Sequence, residues 1–195
     1  FQPGFRSPYV QSYFLGVQSE FLPGWALETN VLGSFARKLI TTDLINRGGL
    51  NPDLGLISYR SNQGTSNYNA FTAVVRRRSR LADLQIAYTW SHTIDNQSEL
   101  LRSDYYNLTP VRITVAESRI DVSAFSRQFE SSADRASSDF DQRHNLVFFS
   151  IWNLPAPSKW SWLRALTRDW RISQLAAFRS GVPYTVYAYG PPTDP

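Results

Sequence analysis

The sequence contains no cysteine and no methionine, and only two histidines. Lack of cysteine excludes a disulfide framework, thiolate metal sites and cysteine nucleophiles, while leaving the compartment open, because reducing compartments and exported proteins that avoid thiols both suit such a chain. With His92 and His144 alone, a metal site would need further ligands brought together by the fold, so no metal or cofactor is expected. Lack of methionine predicts that residue 1 is not a translation start and that the chain is a piece of something longer. The first thirty positions show no basic, apolar, small-residue order of a signal peptide. Long apolar runs are also missing. The most apolar stretch, Leu146 to Trp152, is seven residues long and includes Ser150, against the roughly 18 residues of a membrane helix. Spanning helices are thereby excluded, but spanning strands are not, because their signal is only about ten residues of alternating hydrophobicity between turns.

What is present points to an ordered chain: 42% of residues are hydrophobic and 14% aromatic, outside the disordered class. The net charge of +4 and the pI near 9.5 would suit a nucleic-acid partner. The basic residues are dispersed, however, apart from Arg76, Arg77, Arg78 and Arg80. That cluster has no stacking aromatics interleaved in its turn, so a charged turn is the better reading and no nucleic acid is expected.

Hydrophobic periodicity gives strands. In "LQIAYTWSHT", Leu84, Ile86, Tyr88 and Trp90 alternate with Gln85, Ala87, Thr89 and Ser91, the period of two that puts one set on each face. In "NYNAFTAVVRRR", Phe71, Ala73 and Val75 alternate with Tyr68, Ala70, Thr72 and Val74, and the polar "RSRLAD" joins the two segments as a hairpin. The two apolar sets should share one face. "YFLGVQSEF" and "WALETNVLG", joined through Pro23 and Gly24, form another hairpin. "RHNLVFFSIWNLP" and "WRISQLAAFRSG" form a third, with a helical turn expected at "SWLRAL" between them. The predicted hairpins span 10–34, 67–94 and 143–180. The links between them, 39–66 and 95–138, are long and rich in Asn, Ser, Asp and Gly.

Short and long connections therefore alternate. Compact domains rarely carry structureless loops beyond about 15 residues, whereas outer-membrane barrels have short turns on one rim and long loops on the other. Ten strand residues cover about 33 Å, or about 23 Å along the membrane normal at a 45° tilt, close to the apolar band of about 25 Å. Tyr13, Trp25, Trp90, Trp152 and Trp170 sit near strand ends, where amphipathic rings suit a membrane interface. Asn69, Gln85, Thr89, Ser91, Arg171 and Arg179 are candidates for a lumen-facing set. The competing reading is a soluble β-sandwich or partial barrel acting as a binding module.

"GTSNYNAFTAVVRRRSRLADLQIAYTWSHTIDN", "SDFDQRHNLVFFSIWNLP" and "WRISQLAAFRSGVPYTV", with "SPYVQSYFLGVQSE" and "LETNVLGS", resemble in order the barrel of TonB-dependent outer-membrane receptors of the Oar-like type, which carry a carboxypeptidase-regulatory-like N-terminal domain. The resemblance implies an all-β fold, an antiparallel up-and-down meander of about six strands forming part of a transmembrane β-barrel in the cell outer membrane. It implies outer-membrane lipid, the rest of the barrel, a plug domain, TonB through the parent chain and an unidentified substrate as partners, with transport or binding and no enzymatic chemistry.

One stretch, "SDFDQRHNLVFFSIWNLP", permits a rival account. His144 with Asp141 or Asp139 could be read as base and orienter of a hydrolase, but no strained G-x-S-x-G turn accompanies them. The barrel account places Asp139, Asp141, Arg143 and His144 at the water-facing end of a strand whose apolar part enters the membrane. His92, beyond Trp90 on the same face, is then an interfacial histidine.

Overall fold

The computed structural model describes residues 2–46, 49–55, 57–98, 125–154 and 170–184. Its strands are β1 (Tyr9–Leu22), β2 (Trp25–Ile45), β3 (Ile57–Arg78), β4 (Ala82–Asp95), the two-residue β5 (Ala136–Ser137), β6 (His144–Asn153) and β7 (Arg171–Arg179). They form one sheet in the order β1-β2-β3-β4-β6-β7, with β5 pairing onto β4 above β6. Every neighbouring pair is antiparallel. The sheet is an all-β up-and-down meander, as the alternation predicts, and it does not close on itself: β1 and β7 are its edges.

Register fixes the faces. Trp90, Tyr88 and Ile86 lie opposite Phe71, Ala73 and Val75, so the two apolar sets do share one side. That side continues through Val31 and Leu27 on β2 and Leu15 and Val17 on β1. In the other direction it continues through Leu146, Phe148 and Trp152 on β6 and Phe178 and Ile172 on β7. The opposite side carries Gln18, Glu28, Asn30, Thr72, Arg76, Gln85 and Thr89 across β1 to β4, then changes character to Val147, Phe149, Ile151, Leu175 and Ala177 across β6 and β7.

A tight turn and a close side-chain approach explain two glycines. Gly24 follows Pro23 with φ of 76°, a left-handed conformation glycine adopts without a Cβ clash, and its N–H donates to Glu20 Oε1 at 2.9 Å. Gly33 lies directly opposite Tyr13, whose ring passes over it so that the hydroxyl donates to Asn69 Oδ1 at 2.7 Å on β3. A Cβ at residue 33 would lie 2.6 Å from the Tyr13 hydroxyl and from the Tyr68 carbonyl oxygen. An aromatic ring covering a strand glycine is a known way of pinning register.

The expected long loop 39–66 requires correction: β2 runs on to Ile45 and β3 begins at Ile57. The hairpin continues through a pair of irregularities between Arg37 and Thr41, with Lys38 at φ of 55° and Gly64 packed against the Leu39 backbone. Its upper part lacks apolar alternation because backbone pairing and buried polar side chains hold it. Thr41, Thr42, Asp43 and Ser61 are all buried. Side-chain amides complete the ladder. Gln97 receives the Thr42 N–H at 3.0 Å and donates to the Thr42 carbonyl at 2.8 Å, as a strand neighbour would. Asn96 accepts from Thr65 N–H at 2.8 Å and Asn62 donates to the Lys38 carbonyl at 2.9 Å. At the tip, Asn46, itself at φ of 65°, donates to the carbonyls of Asn51, Leu54 and Gly55.

The expected loop 95–138 is described at its two ends only. A 3-10 turn at Ser131–Asp134 and the short β5 lie within it. Contacts from Gln97 to Thr42, and from Phe125 N–H to Asp43 Oδ1 at 3.0 Å, put this connection on the same rim as the β2–β3 tip. The turns at Pro23 and Arg80 occupy the opposite rim. "SWLRAL" and the rest of 155–169 lie outside the described residues.

Candidate functional site: the polar face and the outer rim

The apolar side is uncovered. Leu15, Val17 and Trp90 are 69%, 62% and 56% exposed, and among the described residues no second sheet packs against them. A soluble monomer rarely shows a contiguous apolar surface beyond several hundred Å². Aromatic residues bound this surface: Trp25 and Trp152 near the rim with tight turns, and Trp90, Tyr13 and Phe35 toward the other. Ten residues separate Trp25 from Phe35 on β2, about 23 Å along the normal at a tilt near 45°, matching the apolar band of a bilayer-spanning barrel.

The polar side carries a connected chain of groups. Asn30 Nδ2 donates to Glu28 Oε1 at 3.0 Å and to Thr72 Oγ1 at 3.1 Å. Glu28 Oε2 pairs with Arg76 Nη1 at 3.0 Å, and Arg76 Nε donates to Gln85 Oε1 at 3.2 Å. Five side chains from three strands are thus joined across the sheet. Arg171 Nε extends the polar set on β7 by donating to Asn153 Oδ1 at 3.1 Å. Of the lumen-facing candidates, Gln85, Thr89, Ser91, Arg171 and Arg179 lie on this side. Asn69 does not. It shares a rung with Gly33 and His92 on the apolar side, near the rim, where the Tyr13 hydroxyl satisfies it.

The rival catalytic account placed His144 with Asp141 or Asp139, and the structure joins them differently. His144 Nδ1 lies 2.8 Å from the Tyr88 hydroxyl, with the two rings stacked at 6.2 Å. Asp141, 1% exposed, is held by His92 Nδ1 at 2.9 Å, by Arg143 Nε at 2.7 Å and by the Thr93 N–H at 2.8 Å. Asp139 is exposed, and its N–H donates to Ser98 Oγ. Between β5 and β6 the chain swings out from β4, and the Asp141 carboxylate takes the place of the missing strand carbonyl. Ser138 N–H returns a bond to the Thr93 carbonyl at 3.0 Å, and Ser91 Oγ reaches the Gln142 carbonyl at 2.8 Å. Burial pushes the Asp141 carboxyl up, but the three donors from Thr93, Arg143 and His92 more than offset it and hold the group below the ordinary value of 3.8. The cluster is a latch that ends β6 at the water-facing rim. Its link between His92 and Asp141 spans 49 positions of sequence. The signal for it was the placement of His92 two residues beyond Trp90, at the rim end of the apolar face.

A single antiparallel sheet with an apolar side between two aromatic belts, a hydrogen-bonded polar side and, among the described residues, a strand extension beyond one rim is the wall of a membrane-spanning β-barrel. The soluble sandwich reading has no second layer to support it among the described residues. The chain belongs to the outer membrane beta barrel domain family, whose model matches residues 1–194. Neither a curated protein nor a solved structure matches it. The protein is accordingly a component of the outer membrane, its apolar side toward lipid and its polar side toward the lumen; since such barrels keep short turns on the periplasmic side, the β2–β3 extension is expected on the extracellular rim.

Proposed function

We propose that this chain is a section of the wall of a TonB-dependent receptor of the Oar-like type, which binds or takes up a substrate through the outer membrane. In this reading a plug fills the lumen, TonB contacts the parent chain from the periplasm, and the substrate passes unaltered, with no enzymatic step, cofactor or nucleic acid. The observation that carries it is the lumenal chain Thr72–Asn30–Glu28–Arg76–Gln85. A lumen lined by paired charges and amides suits a polar body or water column, whereas narrow barrels fill their interiors with packed side chains. The ordered resemblance of five segments supplies the receptor type.

The full-length parent should be electrically closed in planar bilayers, open when the segment preceding the barrel is deleted, and retained by an immobilised periplasmic domain of TonB. A permanently open full-length channel that TonB does not retain would overturn the receptor reading, while leaving the barrel intact.

A further inference from the structure

On the lipid side of β1 to β3, just above the apolar band, the residues are Tyr9, Gln11 and Tyr13, then Gly33, Phe35 and Arg37, then Thr65, Asn67 and Asn69. Among the described residues of these rungs none is a carboxylate, and two cations stand here, Arg37 and its neighbour Lys38, the latter turned by its positive φ at the strand irregularity. The Arg37 guanidinium stands 5.8 Å from the Phe35 ring centroid, and the Lys38 ammonium 5.5 Å from that of Tyr9. Tyr13 stacks on Phe35 at 6.0 Å.

Arg37 is also held in place. Its Nη1 donates to the Ala36 carbonyl at 2.8 Å and to Asn67 Oδ1 at 2.7 Å. Among the described residues its Nε and Nη2, and the Lys38 ammonium, have neither a hydrogen-bond acceptor nor a carboxylate. Arg143, farther along this rim, differs in being neutralised by Asp141.

Height identifies the occupant. Arg37 lies twelve residues beyond Trp25 on the same face of an unbroken stretch of β2, about 28 Å along the normal at a tilt near 45°. With Trp25 at the periplasmic interface, Arg37 and Lys38 stand at the opposite headgroup level, facing lipid. We propose that Tyr9, Phe35, Arg37 and Lys38 form a binding site for the phosphate headgroup of an anionic outer-leaflet lipid. The fork of Arg37 takes two phosphate oxygens, Lys38 supplies a second charge, and the rings support the acyl-proximal part of the headgroup.

The test titrates fluorescent diphosphorylated lipid A into the detergent-solubilised full-length protein. The Arg37→Ala/Lys38→Ala double variant should bind roughly thirtyfold more weakly, as expected for two charges removed from a lipid-facing surface. Arg77→Ala, at the other rim, should bind as wild type does. Heat-modifiable mobility on gels shows that each variant is a folded barrel, and the single variant Lys38→Ala, which leaves the Arg37 bonds in place, should lose part of the affinity if the double variant fails to fold. Dephosphorylated lipid A should bind weakly to all of them, and inorganic phosphate should not displace the labelled lipid. Wild-type affinity in the folded double variant, or in Lys38→Ala where only that variant folds, would overturn the site. So would equal binding of dephosphorylated lipid A, or displacement by inorganic phosphate at equal concentration.

Discussion

Replacing Asp141 with alanine removes the acceptor of three hydrogen bonds at once: Thr93 N–H at 2.8 Å, Arg143 Nε at 2.7 Å and His92 Nδ1 at 2.9 Å. Arg143 and His92 are partly exposed and regain water, so their share is about 0–1 kcal/mol each. The Thr93 amide loses a charged acceptor beneath the loop, about 1.5–3 kcal/mol. The sum, about 1.5–5 kcal/mol, falls on the latch and not on the whole sheet, because the β4–β6 ladder from Ala82 to Trp90 does not depend on it. Hydrogen exchange of the full-length protein in detergent should therefore show the Thr93 amide and residues 138–143 losing protection by roughly 10- to 5000-fold, with the amides of Ala87 and Val147 unchanged. Because the Asp141 pKa is depressed on folding, its stabilisation is complete above the ordinary value of 3.8 and is lost as pH falls through the lower folded value. Wild-type latch protection should thus decline in acid toward that of Asp141→Ala. Unchanged Thr93 protection in the variant, or loss spread evenly into the ladder, would refute the assignment of a local latch.

Facing is tested by a pair of arginine substitutions on the two faces of β4. Ile86→Arg on the lipid side should lower the unfolding free energy of the full-length barrel by about 2–4 kcal/mol, whereas Thr89→Arg on the lumen side, outside the bonded chain, should change it little; similar losses would mean the faces are misassigned. Gly33→Val should shift the urea midpoint downward, by about 1–3 kcal/mol of overpacking against Tyr13 and the Tyr68 backbone. Retained wild-type stability there would show that the Tyr13 ring does not cross β2 as described. Protease added to intact cells carrying the parent should cut the exposed tip at residues 49–55 and spare the turns at Pro23 and Arg80; the reverse pattern would invert the orientation.

The membrane-level part of each strand was legible in sequence because one face meets lipid and the other meets polar groups, so Leu84 to Trp90 and Phe71 to Val75 alternate with period two. Above the membrane that contrast vanishes. Thr41, Thr42, Asp43 and Ser61 are buried polar residues whose order comes from backbone pairing and from Gln97 and Asn96 far along the chain, and no local pattern announces such partners. Asn69 misled for a related reason: a polar residue on the lipid side is tolerated where Tyr13 reaches across Gly33 to satisfy it. His144 and Asp141 are close in sequence, yet the strand start directs the histidine to Tyr88 and the preceding loop directs the aspartate to His92.

The change in the lumenal surface along the sheet, from the bonded chain of Glu28, Asn30, Thr72, Arg76 and Gln85 on β2 to β4 to the apolar run Val147, Phe149, Ile151 and Leu175 on β6 and β7, means that this arc of wall is wetted unevenly. A body seated against it has a preferred angle about the barrel axis. Turning it by a few strands would bring its dry side against Glu28 and Arg76 and return apolar area to water, at about 25 cal/mol for each Å² so exposed. If a plug fills the lumen as proposed, such a wall would favour one azimuth for it with no contact more specific than the distribution of water.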